Sequence, residues 1–456
     1  MAIFPPAPRA NAQDTAFTRD LKTAIRAIYE QLRAQKIQGD NTTFSVTPGA
    51  AGMVGHAISA AGYKTVRIAA TDATAGEKAE ADYLCNGMAD QVQIEAAIAS
   101  LAASGGKVIL SSGTFTVTTI AFNAIGDIEI EGSGVASTKI EPHNAGTTCL
   151  DITGTQGRPS AIFLHDFLVD PRGTVKFGTG LEVNGVAKVV ISELDANDCT
   201  VYSLNIVGAQ VAEITNCALV HATSSTAGLY CASRAVYIAS VDVTATGSTN
   251  SNGIWVVADA GIITECTCDG CLNNGIVVGG SIVVYGCTCP NNAQGISVWS
   301  AGACLDYNTC NSNSVVGIDI DCDCLVYRNT CNSNTTYGIR AERGHGTGTC
   351  VGRLVNNTCD GNSVAGIYGG SLVVSNTITN NTVVGITNSE NCFANTMSGN
   401  TVDLSGVKHF TDPGYTLVSC DYGIPTGGQS TVISYLKSPS GAGTLTFKHG
   451  ILIAFT

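Results

Sequence analysis

The stretch GISVWSAGACLDYNTCNSNSVVGIDIDCDCLVYRNTCNSN, residues 295–334, contains two copies of one pattern. Each copy begins with a Gly-Ile pair and ends with Asn-Thr-Cys-Asn-Ser-Asn. At nearly one period, mostly 20 to 22 residues, a Gly-Ile pair recurs seven times, at Gly253, Gly275, Gly295, Gly317, Gly338, Gly366 and Gly385. A repeat this short, rich in strand-forming residues, is typical of a solenoid whose coils are built from β-strands.

Three apolar columns run through the repeats. If each repeat is one coil, equivalent residues stack about 4.8 Å apart and share one environment. The first column is Ile254, Ile276, Ile296, Ile318, Ile339, Ile367 and Ile386. The second is Ile263, Val284, Leu305, Val326, Leu354, Val373 and Cys392, and the third is Cys268, Cys289, Cys310, Cys331, Cys359, Ile378 and Met397. Three inward columns predict an all-β parallel β-helix with three short strands in each coil of about 21 residues.

Two columns of asparagine accompany the apolar ones. One is Asn292, Asn313, Asn334, Asn362, Asn381 and Asn400, and the other is Asn308, Asn329, Asn357, Asn376 and Asn395. Asparagine tolerates the left-handed conformation that a tight corner needs, and stacked amides can hydrogen-bond from coil to coil. We therefore expect ladders at the corners. The alternative is N-glycosylation, because triplets such as Asn-Thr-Cys are frequent.

The composition fits a long folded core and excludes some partners. Of 456 residues, 52 are glycine, 44% are hydrophobic and 13% are charged. The net charge of −13 argues against nucleic acid as a partner, because neutralising phosphate requires clustered Lys and Arg. No apolar run reaches the ~18 residues of a membrane span, so no membrane insertion is expected. Residues 1–9 lack the basic start and apolar stretch of a secretion signal.

The repeat also explains the 19 cysteines better than a disulfide framework does. Column neighbours such as Cys289 and Cys310 lie one coil apart, where each serves as a small buried hydrophobic residue or pairs with the next. We expect mostly reduced thiols. Pairs such as Cys266 and Cys268 lack the spacing and the second pair of a zinc site, so no metal is predicted there.

Four regions follow one another along the chain. In residues 1–40, Leu21, Ile25, Ile28 and Leu32 form a narrow apolar stripe that predicts an amphipathic helix. This helix docks on its own chain, joins identical chains or anchors the protein to another. Residues 41–106 hold a connector and a helix that caps the open core. Residues 107–407 form the β-helix, and residues 408–456 form a small C-terminal β domain.

The segment of residues 81–117 resembles the opening of a known superfamily. It has a Cys-x-Gly-x-x-Asp turn, a helix ending in Ala-Ile and a Gly-Gly-x-Val-x-Leu-x-x-Gly-Thr-Phe strand. The matching positions are Cys85, Gly87, Asp90, Ala97, Ile98, Gly105, Gly106, Val108, Leu110, Gly113, Thr114 and Phe115. The pattern is similar to that of the pectate-lyase-like superfamily, which implies a right-handed β-helix over about residues 66–404. It implies no single activity, since members include lyases, hydrolases, bacteriophage tailspikes and non-enzymatic adhesins.

The end of the chain carries a shorter resemblance. TLTFKHGILIAFT, residues 444–456, is similar to the closing strands of many bacteriophage tail proteins. With the predicted N-terminal helix and β-helix body, it implies a tailspike or tail-fibre type of virion appendage, commonly a homotrimer. Such an appendage contacts other virion proteins through its N-terminal region. The expected location is the virion, with an extracellular or cell-surface location as the alternative.

Outward side chains beside the first column point to glycan binding. Both tryptophans of the chain, Trp255 and Trp299, fall on this face. Aromatic rings stack on the apolar faces of sugars, and carboxylates accept hydrogen bonds from hydroxyl groups. We therefore predict a host-surface polysaccharide as ligand, with ordinary exposed residues as the alternative. The predicted binding residues are Trp255, Trp299, Tyr368, Asp323, Arg343 and His345.

The acidic run GIDIDCDC, residues 317–324, favours chemistry at the same face. It places Asp319, Asp321 and Asp323 on one side of a predicted strand, with Arg340 and Glu342 on the next coil. Close carboxylates raise one another's pKa, and glycoside hydrolysis uses two of them, about 5 Å apart for retention or about 6.5–9.5 Å for inversion. The candidate catalytic residues are Asp319, Asp321, Glu342 and Arg340.

Two other interpretations of these residues stay open. The three acids are able to hold Ca²⁺, with Arg340 as the proton-abstracting base of an elimination; no other cofactor is predicted. Alternatively, Asp319 and Arg340 form a cross-strand ion pair beside solvated acids. The step from Gly338 to Gly366 is about seven residues too long, which predicts that Glu342, Arg343 and His345 lie on a loop beside the acidic strand.

Three functions are therefore compatible with the sequence. The first is a virion tail fibre or spike that recognises host glycan. The second is a polysaccharide hydrolase or lyase on the same scaffold, so the sequence leaves open whether the protein is an enzyme. The third is a structural decoration or neck protein whose solenoid acts as a spacer.

Overall fold

The structure is a computed structural model. It describes residues 64–101, 105–154, 160–221, 226–245, 251–343, 349–407, 409–410, 445–448 and 451–455. The predicted N-terminal helix in residues 1–40, the first part of the connector and most of the C-terminal region lie outside the described residues.

The described chain is almost entirely β-structure, with helices at Ala75–Glu80 and Gln91–Ser100. The first strands are Lys64–Ala69, Tyr83–Leu84, Gly106–Leu110, Gly113–Val117, Ile120–Ala124, Ile128–Glu131, Thr138–Pro142 and Thr148–Gly154. The middle strands are Ala161–Val169, Thr179–Asn184, Lys188–Cys199, Tyr202–His221, Ala227–Ala245, Asn252–Thr264, Thr267–Asp269 and Asn274–Tyr285. The later strands are Gln294–Val298, Cys304–Asp306, Val316–Ile320, Leu325–Tyr327, Tyr337–Arg343, Thr349–Cys350, Arg353–Val355, Thr358–Asp360, Ala365–Gly369, Leu372–Val374, Thr377–Thr379, Val384–Thr387, Asn391–Phe393, Thr396–Ser398, Val402–Ser405 and His409–Phe410. Leu445–Lys448 and Ile451–Phe455 form a separate antiparallel hairpin.

Apart from Thr349–Cys350 and the hairpin, the strands stack in parallel. They form three ladders, called the first, second and third after the apolar column that each contains. The first ladder runs from Ile120–Ala124 to Val402–Ser405. The second runs from Lys64–Ala69 to His409–Phe410. The third runs from Gly113–Val117 to Thr396–Ser398. The predicted fold class, a right-handed parallel β-helix with three short strands per coil, is confirmed.

The register agrees with the apolar columns. Ile276 pairs with Ile254 on one side and with Ile296 on the other, and the same relation continues along the first ladder. All seven isoleucines of the first column are fully buried, as are all members of the second column. In the third column only Met397 is partly exposed, and it packs against the core. Burial of these columns is the main favourable term in the stability of the solenoid.

The repeated glycines are required by the distance between coils. A Cβ atom on Gly275 would lie 2.6 Å from the carbonyl oxygen of Gly295 and 2.8 Å from the Nδ2 atom of Asn292. A Cβ atom on Gly317 would meet Gly338 and Asn334 at the same two distances. Because both obstacles belong to the backbone or to an amide ladder, neither moves aside easily. Glycine therefore recurs once per repeat because adjacent coils come too close at this position for a larger residue.

Both asparagine columns form continuous hydrogen-bonded ladders. In the first, Asn334 Oδ1 accepts from the backbone N–H of Asn313 at 2.9 Å and from its Nδ2 at 3.1 Å, while Asn334 Nδ2 donates to Asn362 Oδ1 at 3.0 Å. In the second, Asn357 Nδ2 donates to Asn376 Oδ1 at 3.0 Å. Most of these side chains are buried, which excludes a glycan on them.

One detail of the asparagine prediction is wrong. The left-handed conformation falls on the residue before each ladder asparagine, for example Ser312 and Ser333 with φ of 59° and 56°. The ladder asparagines point inward instead, where their amides bind the adjacent coils. At each corner, one residue therefore adopts the positive φ, and the asparagine after it forms the hydrogen bonds between coils.

The cysteines whose side chains the structure describes form no disulfide, and all of them are buried. Burial raises the pKa of Cys268 and of Cys310 well above the ordinary thiol value, because a thiolate would lose its hydration inside the core. These thiols are therefore weak nucleophiles and serve as small core residues.

The capping helix is confirmed. Gln91–Ser100 buries Ile94, Ala97 and Ile98, and Asp90 before it is fully buried. The Asp90 carboxylate accepts from the backbone N–H groups of Asn86 and Gly87 at 3.1 and 2.8 Å, which fixes the predicted turn. Lys64–Ala69, within the region assigned to the connector, pairs in parallel with Gly106–Leu110, so a solenoid strand also precedes this helix. Neither helix of the described chain is long and apolar enough to span a bilayer.

The amide ladder yields a test of stability. Replacing Asn334 by alanine leaves the N–H and Nδ2 of Asn313 without their acceptor, and each buried donor that loses its partner costs about 1–3 kcal/mol. We expect Asn334→Ala to lower the free energy of unfolding by about 2–4 kcal/mol in chemical denaturation. The control is Thr335→Ala, an exposed neighbour on the same corner, which should change little. Equal effects of the two substitutions would contradict the role of the ladder.

Candidate functional site

The outer face of the first ladder collects aromatic and charged side chains. Its outward positions follow from the register, in which each residue pairs with the next on adjacent coils. In order, this outward column is Asp151, Glu182, Asn205, Tyr230, Trp255, Val277, Ser297, Asp319, Arg340 and Tyr368. Polar residues therefore stand at one end, aromatic residues in the middle, and an acid and an arginine beyond them.

Four rings form an aromatic stripe on this face: Tyr202, Tyr230, Trp255 and Trp299. Successive ring centroids are 5.9, 5.1 and 5.9 Å apart, and both contacts of Trp255 are edge-to-face. Trp299 follows the end of its strand and folds back, because its Nε1 donates to Ser297 Oγ at 2.8 Å. The Trp299 ring reaches Trp255 across the coil of Val277, which is fully buried although it points outward.

The stripe has an exposed end and a buried polar atom. Trp299 is 51% exposed, which is unusual for so large an apolar ring. Trp255 Nε1 is buried and has no hydrogen-bond partner. A buried indole N–H without an acceptor costs free energy in the unliganded protein.

An open groove of about 740 Å³ lies along the corner that follows the aromatic strands. Its apolar wall includes Val257, two residues after Trp255, so groove and stripe adjoin. Arg234 Nε lies 4.0 Å from Asp259 Oδ2, and both side chains are mostly exposed. The polar residues of the groove are Gln210, Ser233, Arg234, Asp259, Ser281 and Ser300.

Asp319 and Arg340 form the cross-strand ion pair that the sequence left open. Arg340 Nε donates to Asp319 Oδ1 at 2.7 Å and Nη2 donates to Oδ2 at 2.6 Å, while Asp319 is only 3% exposed. The hydrogen bonds to Asp319 raise the pKa of Arg340, so the guanidinium stays protonated. This arrangement does not suit Arg340 to abstracting a proton, and both oxygens of Asp319 are engaged.

The three acids of GIDIDCDC do not share one strand, contrary to the prediction. The strand Val316–Ile320 ends before Asp321, and the chain turns there towards the second ladder because Cys322 and Cys324 enter the core. Asp321 remains beside the first ladder, where its backbone N–H donates to the carbonyl of Val298 at 3.0 Å and its charge acts on Arg340. Asp323 is exposed on the turn.

The extra length after Gly338 leaves the coil as a hairpin. Tyr337–Arg343 continues past the first ladder and pairs antiparallel with Thr349–Cys350. Glu342 is therefore a buried strand residue at the base of this hairpin and not part of a loop. The side chain of Arg343 and the whole of His345 lie outside the described residues. Tyr368 is half-buried, and its ring contacts that of Tyr337 at 5.0 Å.

Sequence reasoning missed Tyr202, Tyr230 and the groove. Coils before Gly253 lack the Gly-Ile pair that marks the repeat in the sequence. Gly228-Leu229 and Ser203-Leu204 occupy the same register, with Leu in place of Ile. A search that allowed Leu after the small residue would have found Tyr230 in the outward column.

A second polar cluster lies on the second ladder, outside this face. Among the described residues, Glu129, Glu131 and His165 hold potential metal-ligand atoms within 4.8 Å of one another. Lys107 already bonds to both glutamates, and His165 contacts Glu129 at 3.1 Å and Asp166 at 2.6 Å. The hydrogen bond to His165 is the main cause that lowers the pKa of Glu129 to about 2. Burial acts to lower the pKa of His165, but the bonds to the two acids outweigh it and raise that pKa. The cluster is a satisfied ion-pair network.

Comparisons with known proteins give a limited result. No protein-family model and no curated protein matches this sequence. Two similar solved structures are A-modules of the Azotobacter vinelandii mannuronan C-5 epimerases AlgE6 and AlgE4. The AlgE6 module is 16% identical and covers 73% of this chain and 97% of its own, with a TM-score of 0.39. The AlgE4 module is 16% identical, covers 72% and 97%, and has a TM-score of 0.45. Similarity at this level does not bear on function.

The Asp319–Arg340 pair gives a prediction about stability. Removing one partner of a buried pair leaves an uncompensated charge, which typically costs about 3–5 kcal/mol, whereas replacing both is often nearly neutral. We expect Arg340→Met to lower the free energy of unfolding by about 3 kcal/mol. The double variant Asp319→Leu/Arg340→Met should recover most of this loss in the same denaturation experiment. Additive losses in the double variant would show that the pair does not act as a unit.

Proposed function

We propose that this protein recognises a polysaccharide along the outer face of the first ladder. The observation that carries the proposal is the aromatic stripe of Tyr202, Tyr230, Trp255 and Trp299. Its rings follow the axis of the solenoid and adjoin an open polar groove. A linear chain of sugar rings has the same repetition of an apolar face flanked by hydroxyl groups.

Two features of the stripe favour a ligand over ordinary surface residues. Trp299 is largely exposed, so covering its ring with an apolar sugar face removes unfavourable surface from water. The free Nε1 of Trp255 gains an acceptor if the Trp299 ring swings aside for a sugar hydroxyl. Both changes make the bound state more stable than the unbound one.

The setting that we propose is a virion appendage of the tailspike or tail-fibre type that contacts host surface polysaccharide. This rests on the two sequence resemblances described above and on the β-hairpin Leu445–Lys448 and Ile451–Phe455 at the end of the chain. In this setting the first 40 residues contact other virion proteins, and the protein is a homotrimer. Sedimentation of the purified protein and labelling of intact particles test these two points.

A second candidate function is polysaccharide cleavage at the acidic end of the face. The observation that favours it is the grouping of three carboxyl groups near Arg340. Asp319 bonds to this arginine, the charge of Asp321 acts on it, and Glu342 lies two residues beyond it. Since Asp319 is held by Arg340, the acid and base of such a reaction are Asp321 and Glu342. If the polysaccharide is cleaved by elimination, we propose that these acids also bind Ca²⁺.

Loss of Trp299 tests the recognition proposal. Truncating an exposed aromatic anchor of a binding site commonly costs about 2 kcal/mol or more, which is more than tenfold in affinity. We expect Trp299→Ala to weaken binding on an array of host-surface polysaccharides at least about tenfold. The matched control is Tyr285→Ala, which removes a 42% exposed ring from the second ladder and should leave binding unchanged. Equal binding by wild type and Trp299→Ala would refute the proposed surface.

Cleavage is tested on the same polymers. Reducing ends report hydrolysis, and ultraviolet absorbance of unsaturated sugars reports elimination. If the protein cleaves, Asp321→Asn should reduce turnover by at least about a hundredfold, because one essential proton transfer is lost. Denaturation should show that this partly exposed residue contributes little to stability. Unchanged turnover would exclude Asp321, and the absence of any product would leave binding or a spacer role.

A further inference from the structure

We infer that the polysaccharide recognised by this face is uncharged and that anionic glycans such as polyuronates are excluded. The inference rests on the proposed function and specifies its substrate class. It follows from the distribution of charge over the outward column of the first ladder, the turn after it and the groove.

Acidic side chains dominate this surface. Asp151 and Glu182 stand in the outward column on the coils before the aromatic stripe, and Asp259 lies in the groove beside it. Asp321 and Asp323 follow at the other end, beyond the Asp319–Arg340 ion pair. The stripe is therefore bounded by carboxylates on both sides along the solenoid axis, in a chain whose net charge is −13. A polyanion that lies along the stripe must approach several of these charges.

The cationic groups of this surface are fewer than the acidic ones, and each lies beside a carboxylate. Among the described side chains of the outward column and the groove they are Arg340 and Arg234. Arg340 directs two donors into the buried carboxylate of Asp319, so its charge is neutralised locally. Arg234 lies 4.0 Å from Asp259 in the open groove. Recognition of a carboxylate or sulfate on each sugar ring needs several guanidinium, ammonium or clustered N–H donors. Among the described side chains of the outward column and the groove, the one exposed guanidinium is that of Arg234, and it lies beside the carboxylate of Asp259.

The polar groups that remain are suited to hydroxyl groups. Carboxylates are hydrogen-bond acceptors, which match the O–H donors of a neutral sugar. The amide of Gln210 and the hydroxyls of Ser233, Ser281 and Ser300 in the groove both donate and accept. An uncharged chain can thus cover the rings and satisfy the flanking polar groups without bringing like charges together. The same chain with a carboxylate on each ring would meet repulsion at each end of the stripe.

The experiment uses pairs of polymers that share a backbone and differ in charge. Suitable pairs are hydroxyethylcellulose with carboxymethylcellulose, starch with carboxymethyl starch, and the propylene glycol ester of alginate with alginate. Host-surface polysaccharides are included before and after chemical reduction of their carboxyl groups. Affinity electrophoresis of the full-length protein measures binding at low and high ionic strength, each with Ca²⁺ and with EDTA.

We expect the uncharged member of a bound pair to be preferred at least tenfold at low ionic strength. The preference should shrink as salt is added, because salt screens repulsion between exposed charges. Asp259→Lys should reduce the preference, since it reverses a charge in the groove, whereas Asp269→Lys on the third ladder should not. A preference for the anionic member, equal binding of both, or anion binding that requires Ca²⁺ would overturn the inference.

The outcomes separate this inference from the proposal on which it rests. Binding that prefers an anionic polymer and is lost in Trp299→Ala contradicts the substrate class but leaves the aromatic face as a glycan-binding surface. Binding of no polymer, host polysaccharides included, contradicts the proposed function itself. Binding of uncharged polymers that is lost in Trp299→Ala supports both.

Discussion

The amide of each ladder asparagine serves two coils at once. Its oxygen accepts from the preceding coil and its nitrogen donates to the following one or to a backbone carbonyl, as at Asn334 and Asn376. Because these amides are buried, a coil that shifts along the chain or away from the axis leaves several polar groups unsatisfied at once. The ladders therefore hold successive coils at a fixed spacing and register, and the apolar columns supply the free energy that makes the stack stable. The repeated glycines complete this arrangement by allowing the backbone to approach the amides.

Because the register is fixed, residues that are far apart in the sequence lie side by side on one surface. Tyr230 and Trp255 are 25 positions apart in the sequence, yet they pair in the first ladder and their ring centroids are 5.1 Å apart. Asp319 and Arg340 meet in the same way one coil apart. A solenoid thus presents one side chain per coil along a line, which is the geometry that a linear polymer requires. Within the aromatic stripe, Trp299 lies just beyond the end of its strand and folds back over it.

Sequence reasoning succeeded where the repeat itself determines the environment. The seven periodic Gly-Ile pairs predict the first ladder, and the asparagine columns predict the hydrogen-bonded amide ladders. The alternation of side chains places Trp255 and Trp299 on one face. It failed where a coil departs from the average coil. The strand Val316–Ile320 stops one residue before Asp321 because two cysteines turn into the core, and alternation alone does not reveal where a strand ends. Glu342 was assigned to a loop since the sequence does not show that the insertion begins as a continued strand. The sequence leaves open whether Arg340 pairs with Asp319 or acts as a base. The position of a residue in a column determines which residues are its neighbours, but not its protonation state or its hydrogen bonds.

The central claim, that coils stack in register, is tested most directly by distances between spin labels. Ser314, Thr335, Ser363, Thr382 and Thr401 are exposed and occupy one corner position on successive coils. The buried thiols should react little, so cysteines introduced at pairs of these positions are labelled selectively, with unmodified protein as the background. Stacking at about 4.8 Å per coil predicts Cα separations of about 14 Å for Ser314 with Thr382 and about 19 Å for Ser314 with Thr401. Pulsed electron paramagnetic resonance that gives this steady increment supports the account. Broad distributions, or distances that do not increase by one coil spacing from Thr382 to Thr401, would contradict it.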